Sequence, residues 1–339
     1  KLASTATSAI GVVPAASASV VANAAAAVAR PMVPAPTLDT QLAALKPGHW
    51  SKVVADNLAA DIDPSRDPAS NPRYPATASY DGTVGFRGVW EAWNSGVFAA
   101  THGKCGSVLY FGGGHNDYWG NAVIALNLCG GKQGGPVWER LSTPYGGPIN
   151  WPLTDGAFPD GTPAPPHTGD GLVFDKASNS LIVLQSLSSG PRATNAPNAW
   201  RFSLDTHQWS GPFPHRGAHS AASAYDERRN LLWFQPQQGY PGEFTSFEPA
   251  TDKFSYYGWP YVSGVGNLGS SMGYDPLRDV MVATDFRNAP GTIAEHSLSN
   301  PASAWRIVPQ HNAPAPIAGY QTFAWSRARK AWIVWIPAL

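Results

Sequence analysis

From residue 96 onward, short apolar runs alternate with polar turns at a regular spacing. Gly171-Leu-Val-Phe-Asp175 runs through a polar tetrapeptide into Ser180-Leu-Ile-Val-Leu184. Ala222-Ser-Ala-Tyr-Asp226 runs likewise into Leu231-Leu-Trp-Phe234, Ser271-Met-Gly-Tyr-Asp275 into Val280-Met-Val-Ala283, and Thr322-Phe-Ala-Trp-Ser326 into Ala331-Trp-Ile-Val-Trp335. Runs this short, rich in β-branched and aromatic residues and bounded by turn formers, predict strands rather than helices. The turn-opening residues Asp175, Asp226, Asp275 and Ser326 step by 51, 49 and 51 positions. A diverged copy precedes them, with Gly96–His102 leading into Ser107–Phe111. Third strands are expected at 121–128, 199–204, 243–247 and 292–298, each followed by an aromatic: Trp138, Trp209, Phe254 and Trp305. A period near 50 with four strands per unit predicts a propeller blade.

Leu109-Tyr-Phe-Gly-Gly-Gly-His-Asn-Asp-Tyr-Trp-Gly-Asn121, with Trp138 behind it, resembles a kelch blade, which carries a diglycine after its second strand and an aromatic opening its fourth. The later units lack the diglycine and have Gln185-Ser, Gln235-Pro and Thr284-Asp there. The resemblance implies an all-β, kelch-like β-propeller over residues 37–339, of five blades, with six as the alternative. Residues 321–336 supply only two strands of the last blade. Residues 49–54, with Trp50 in the closing position, are expected to provide its outer strand, so that the two ends of the fold close the ring. Divergent propellers of this kind occur in secreted bacterial proteins, carbohydrate-active enzymes and phage virion proteins.

Composition narrows the class. Gly 34 and Pro 32 exclude a mainly helical chain, and Trp 14, Tyr 12 and Phe 13 exclude wholesale disorder. Lys+Arg and Asp+Glu are both 23, so the chain has no basic excess for nucleic acid or an acidic membrane. No run has the length and hydrophobicity of a membrane span. Residues 1–36 are Ala-rich, with Lys1 and Arg30 as the only charges. Gly11 and Pro14 interrupt their apolar run, which favours an assembly or anchoring extension that docks on other protein subunits over a leader remnant or an expression tag. The connection from Val54 to Trp93 is long, polar and Pro-rich, as functional or partner-bound loops are.

The two cysteines, Cys105 and Cys129, are symmetric about residue 117 in the middle of the best hairpin. Residues so placed face one another at disulfide distance. A bridge is expected and would mark an extracellular or virion-surface setting; two buried thiols are the alternative.

Loops between strands two and three share an end with the connections between blades. The loop 112–120 therefore lies beside the insertion 143–166, which carries Tyr145, Trp151, Phe158 and Asp160, and beside His167. His215, His219, Tyr240, Trp259, Tyr261 and His311 are assigned to the same end. Aromatic rings stack on sugars while His, Asn and Asp bond hydroxyls, so Asn116, Asp117, Trp119, Trp151, His219 and Tyr240 are candidate ligand contacts, with a surface polysaccharide as ligand. A polysaccharide lyase would use His115 or His167 as the base, Tyr118 as the acid, and Arg192 or Arg216 against the uronate carboxylate. His115 and Asp117 serve equally well simply to hold a tight Gly-rich loop. A copper-radical site needs a Tyr–Cys cross-link that a disulfide would forbid. Asp61, Asp63, Ser65 and Asp67 alternate as oxygens do in a Ca²⁺ loop, but Arg66 stands where such loops need Gly, and no cofactor is expected. The charges of Glu227–Arg229 and Arg327–Lys330 sit on tight turns and read as solvated. The reading that emerges is a non-enzymatic attachment propeller, with the lyase and a plain glycan-binding module as alternatives.

Overall fold

The computed structural model describes residues 35–46, 52–64, 82–92, 94–114, 117–147, 153, 156–185, 198–215, 220–236, 243–258, 271–284, 292–309 and 322–335. Four antiparallel meanders follow one another. The first is β1 (Gly96–Ala99), β2 (Ser107–Tyr110), β3 (Ile124–Asn127) and β4 (Val137–Arg140). The second is β5 (Leu172–Asp175), β6 (Ser180–Gln185), β7 (Asn198–Ser203) and β8 (Trp209–Pro214). The third is β9 (Ser220–Asp226), β10 (Leu231–Pro236), β11 (Thr245–Glu248) and β12 (Lys253–Tyr256). The fourth is β13 (Ser271–Asp275), β14 (Val280–Thr284), β15 (Ile293–Ser297) and β16 (Arg306–Val308), and β17 (Thr322–Ser326) with β18 (Ala331–Trp335) forms a two-stranded fifth unit. First strands of successive sheets touch: β1 on β5, β5 on β9, β9 on β13 and β13 on β17. Sheets that meet through their first strands radiate from a common line, a propeller-like arrangement.

The repeated turn has a local cause. Asp175, Asp226 and Asp275 are all but fully buried, and each accepts the backbone N–H two residues on, from Ala177, Arg228 and Leu277. A short carboxylate that bonds the backbone just ahead of it nucleates the turn. The last turn residue must then enter the left-handed region, at φ 47° for Asn179, 55° for Asn230, 56° for Asp279 and 49° for Lys330. Asn and Asp tolerate this conformation best. In the fifth unit Ser326 replaces the Asp, its Oγ accepting the Arg329 N–H.

Between sheets, apolar faces interlock. Leu109, Phe111 and Val123 of the first pack on Leu181, Trp200 and Phe202 of the second. Ile182 and Leu184 meet Leu232, Phe234 and Phe247 of the third, and Trp233 and Phe244 meet Met272, Met281 and Trp305 at the fourth. Each such buried side chain stabilises the fold by about 2–3 kcal/mol relative to exposure. Ion pairs at the tight-turn end add to this. Arg229 bonds Asp226 at 2.8 Å and Asp279 of the next sheet at 2.5 Å, and Arg201 pairs with Asp252. Arg229 was expected in solvent; the fully buried Asp226 needs a cation, and Arg229 supplies it. Arg327 likewise meets Glu227.

Cys105 and Cys129 form a disulfide with a Cα–Cα distance of 5.5 Å, in line with the Ser107↔Asn127 register. The expected closing strand does not appear where it is described: Lys52–Val54 lie outside any strand. Val54 is instead held by the Gln41 amide, which accepts the Val54 N–H at 2.9 Å and donates to its carbonyl at 3.0 Å. Trp50 and the rest of the proposed strand lie outside the described residues. Gln41 belongs to α1 (Leu38–Ala43), a short helix capped by Thr37.

Residues 55–64 and 82–92 cover the free face of the first sheet. Asn57 pairs with the Trp138 backbone on both sides, accepting its N–H at 2.7 Å and donating to its carbonyl at 2.9 Å. Phe86 and Val89, the latter in the short helix α2 (Gly88–Glu91), are buried against Tyr118, Ala122 and Ile124, with Ile62, Trp90 and Trp138 around them. These residues, expected as a loop, pack on the first sheet as a neighbouring sheet would.

Candidate functional site

Antiparallel meanders place the links between strands one and two, and between three and four, at one end. The remaining links lie at the other. The first end is closed mainly by four-residue turns at 176–179, 227–230, 276–279 and 327–330. The second end carries links at 111–123, 141–171, 186–197, 215–219, 237–244, 257–270, 285–292 and 309–321. It is the loop-rich end, and the sequence candidates fall there.

The Gly-rich loop is built by close backbone approach. Gly112 and Gly114 have φ 125° and 64°, and a Cβ on Gly113 would sit 2.0 Å from the Tyr118 carbonyl oxygen. The loop folds onto itself through the Asp117 and Tyr118 N–H groups, which donate to the Gly113 carbonyl at 3.0 and 2.9 Å. The Gly113 N–H reaches across to the Pro166 carbonyl at 3.0 Å, so this loop and the segment leading to His167 are neighbours, as expected.

The candidate side chains nevertheless face inward. Tyr118 is 1% exposed and meets Phe86 edge-on at 5.5 Å. Asp117 accepts the Thr83 hydroxyl at 2.5 Å, and its carbonyl accepts the Val84 and Gly85 N–H groups at 3.2 and 2.8 Å. These two residues fasten the 82–92 segment to the first sheet. Their polar atoms bond the covering segment, and short-range sequence cannot distinguish that from facing a ligand. Trp119 is partly buried in the same cluster. His167 is 6% exposed, followed by Thr168, whose N–H and hydroxyl both donate to Asn94 Oδ1 at 3.2 and 3.0 Å. His215 is partly buried beside Phe254 at 5.3 Å, and desolvation pulls its pKa down to about 4, so it stays neutral. Tyr145 stacks on Phe158 at 4.9 Å, and its N–H donates to Asn121 Oδ1 at 2.7 Å. His115, Asn116, Trp151, His219 and Tyr240 lie outside the described residues, as do Arg192, Arg216, Trp259, Tyr261 and His311.

In the Ca²⁺-type segment, the Asp61 carboxylate accepts the Leu58 N–H at 2.8 Å and caps the 3₁₀ turn Ala59–Ile62. Ser65 and Asp67 lie outside the described residues, and no cluster of three metal-ligating side chains occurs among the described ones.

One residue of this end escaped the sequence reading. Asp170 stands two residues before β5. Its Oδ2 accepts the Ser223 N–H of β9 at 3.2 Å, it also takes a backbone hydrogen bond from Met272 of β13, and its carbonyl accepts the Ser223 hydroxyl. Just ahead of it, Gly169 forms a parallel bridge with Asn94 at the mouth of β1. Asp170 thus ties together the starts of three first strands where the sheets converge. Burial raises its carboxyl to about 7, against the lowering effect of the two N–H donors.

No family model matches the chain, and no curated protein matches it. Among solved structures it is similar to an auxiliary nutrient binding protein from Bacteroides thetaiotaomicron VPI-5482, at 9% identity and a TM-score of 0.42, covering 70% of this chain and 49% of that one. A second auxiliary nutrient binding protein, from Bacteroides ovatus ATCC 8483, matches at 10% identity and a TM-score of 0.40, covering 74% and 56%. A nidogen/laminin complex chain matches at 12% and 0.36, covering 57% and 60%. The chain therefore spans less than two thirds of the length of each of these structures. They are varied in kind, and the architecture rests on the strand pairing described above.

Proposed function

We propose that this chain is a non-enzymatic, extracytoplasmic binding or attachment protein: a five-bladed, kelch-like propeller whose loop-rich end meets a surface polysaccharide or a protein partner. In that reading residues 1–36 dock it to a cell-surface or virion assembly. The observation that carries the proposal is the inequality of the two ends. At one end no link exceeds nine residues and most are four-residue turns, while every link of twelve residues or more lies at the other, the usual form of a recognition surface on a rigid scaffold. The disulfide fits an oxidising setting. No helix among the described residues is long and apolar enough to cross a membrane. The lyase alternative would need Tyr118 at an open surface, and that side chain is buried under Phe86.

The test is binding of the full chain to immobilised bacterial surface polysaccharides and to cells. Trp151→Ala, His219→Ala and Tyr240→Ala at the loop-rich end are compared with Lys176→Ala and Arg228→Ala at the turn end. Loop-end variants are expected to lose at least about tenfold in affinity while turn-end variants bind as the parent does. Equal loss at both ends, or release of unsaturated sugars from the polysaccharide, would overturn the proposal.

A further inference from the structure

Beside the 111–123 loop, the segments covering the first sheet form a cleft of about 510 Å³. One wall is the 3₁₀ turn Ala59–Ile62 with Asp63 after it; the other runs from Gly82 to Trp90. The walls are fixed to the sheet by separate sets of bonds. On the first side these are the Asn57 pairing with Trp138 and the Arg140 guanidinium donating to the Ile62 carbonyl at 3.2 Å. On the second they are the Asp117 bonds to residues 83–85 and the contacts of Trp90 with Phe86 at 5.2 Å and Trp138 at 5.5 Å. A cleft whose walls are each anchored to a third body exists before any ligand arrives, so little binding energy goes into ordering it.

Its lining is unlike a core. Ala59, Ala60, Gly82 and Gly85 keep it open; Asp63 on one wall and Arg87 on the other bring opposite charges; Trp90 supplies an aromatic surface. Arg87 is 68% exposed, and its ion pair with Glu91 is long, at 3.6 Å. Its guanidinium therefore keeps donors for an incoming anion.

We propose that this cleft binds an acidic sugar unit of an anionic glycan, with the carboxylate on Arg87, hydroxyls donating to Asp63, and the apolar sugar face against Trp90. The volume lies in the range of small-ligand sites. A planar guanidinium takes a carboxylate in a two-point contact that a neutral sugar cannot make. Aromatic rings suit the C–H face of a pyranose better than they suit a small amino-acid zwitterion. The site uses none of the residues substituted in the test of the loop-rich end and does not rest on the reading given for that end.

The experiment titrates the full chain with trigalacturonate and with neutral maltotriose, followed by calorimetry and tryptophan fluorescence. Trigalacturonate is expected to bind saturably and maltotriose at least about tenfold more weakly. Arg87→Gln, an exposed change that leaves packing alone, brings the two sugars within about twofold of each other. Ala60→Trp fills the cleft and abolishes both, with circular dichroism and melting confirming that it folds. Absence of saturable trigalacturonate binding, an unchanged preference in Arg87→Gln, or undiminished binding by a folded Ala60→Trp chain overturns the proposal.

Discussion

A single carboxyl, Asp170, sits where the first strands of three sheets begin, and its protonation couples to the fold. Because burial raises it to about 7 in the folded chain, the folded state holds a proton that the unfolded state releases near pH 4. Its contribution is therefore fully present below pH 4, falls as pH rises to about 7, and is level above. His215 and His296, both held near 4 by burial, act in the opposite sense: their contribution is lost as pH falls from about 6.5 toward 4. Comparison with Asp170→Asn separates the two. Urea unfolding from pH 4 to pH 8 should show the variant gaining on the parent by up to about 4 kcal/mol between pH 4 and pH 7, then running parallel. A difference that does not change with pH would place the carboxyl in water. Nothing near Asp170 in the sequence marks it out, because its partners, Ser223 and Met272, stand about 50 and 100 positions away and reach its carboxylate through backbone N–H groups.

At the level of strands and turns, much was legible. The Asp-x-x-x-Asn or Asp-x-x-x-Asp turn is a local device, and each of its copies folds where the spacing placed it. The third strands fall within a few residues of their expected limits. Cys105 and Cys129 were paired from hairpin symmetry alone. Loss of this bridge, in Cys105→Ser/Cys129→Ser, should cost about 3.5 kcal/mol by the loop-entropy estimate for a separation of 24 residues, read as a lower denaturation midpoint with a slope raised by the more expanded unfolded chain. What was illegible is the covering segment. Its attachment runs through Asn57, Thr83 and Phe86, isolated residues in a Pro- and Gly-rich stretch with no periodicity, each meeting a partner at least 30 positions away. For the same reason Asp117 and Tyr118 read as ligand contacts when they are fasteners.

For the whole molecule, the inequality of the two ends predicts where the chain tolerates added length. The turn 276–279 is closed by Asp275 from within and by the Arg229–Asp279 pair from the next sheet. The link 237–244 joins β10 to β11 with four more residues than that turn. Six Gly/Ser residues inserted after Leu277 should lower the melting temperature by several degrees, reflecting loss of the turn and of a charge pair worth about 1–3 kcal/mol. The same insertion after Gln238 should change it little, since lengthening an already long link costs about 0.5 kcal/mol. Equal effects at both places would mean that the two ends are not physically different.

The place where the amino-terminal extension joins the propeller-like body also has a mechanical meaning. Ala35 is 3% exposed, its N–H donates to Asp56 Oδ1 at 2.5 Å, and the Asp56 N–H donates to the Pro136 carbonyl at 2.7 Å. Any tension arriving from upstream of Ala35 is thus delivered to the connection between β3 and β4, a few residues from Cys129. The covalent bolt of the first sheet holds the end of β3 to the β1–β2 turn near the point of loading, so a pull that has peeled β4 meets a cross-link before it can unzip β3. An oxidised and a reduced chain, stretched from the amino terminus in an optical trap, should part company in the force at which the first sheet gives way.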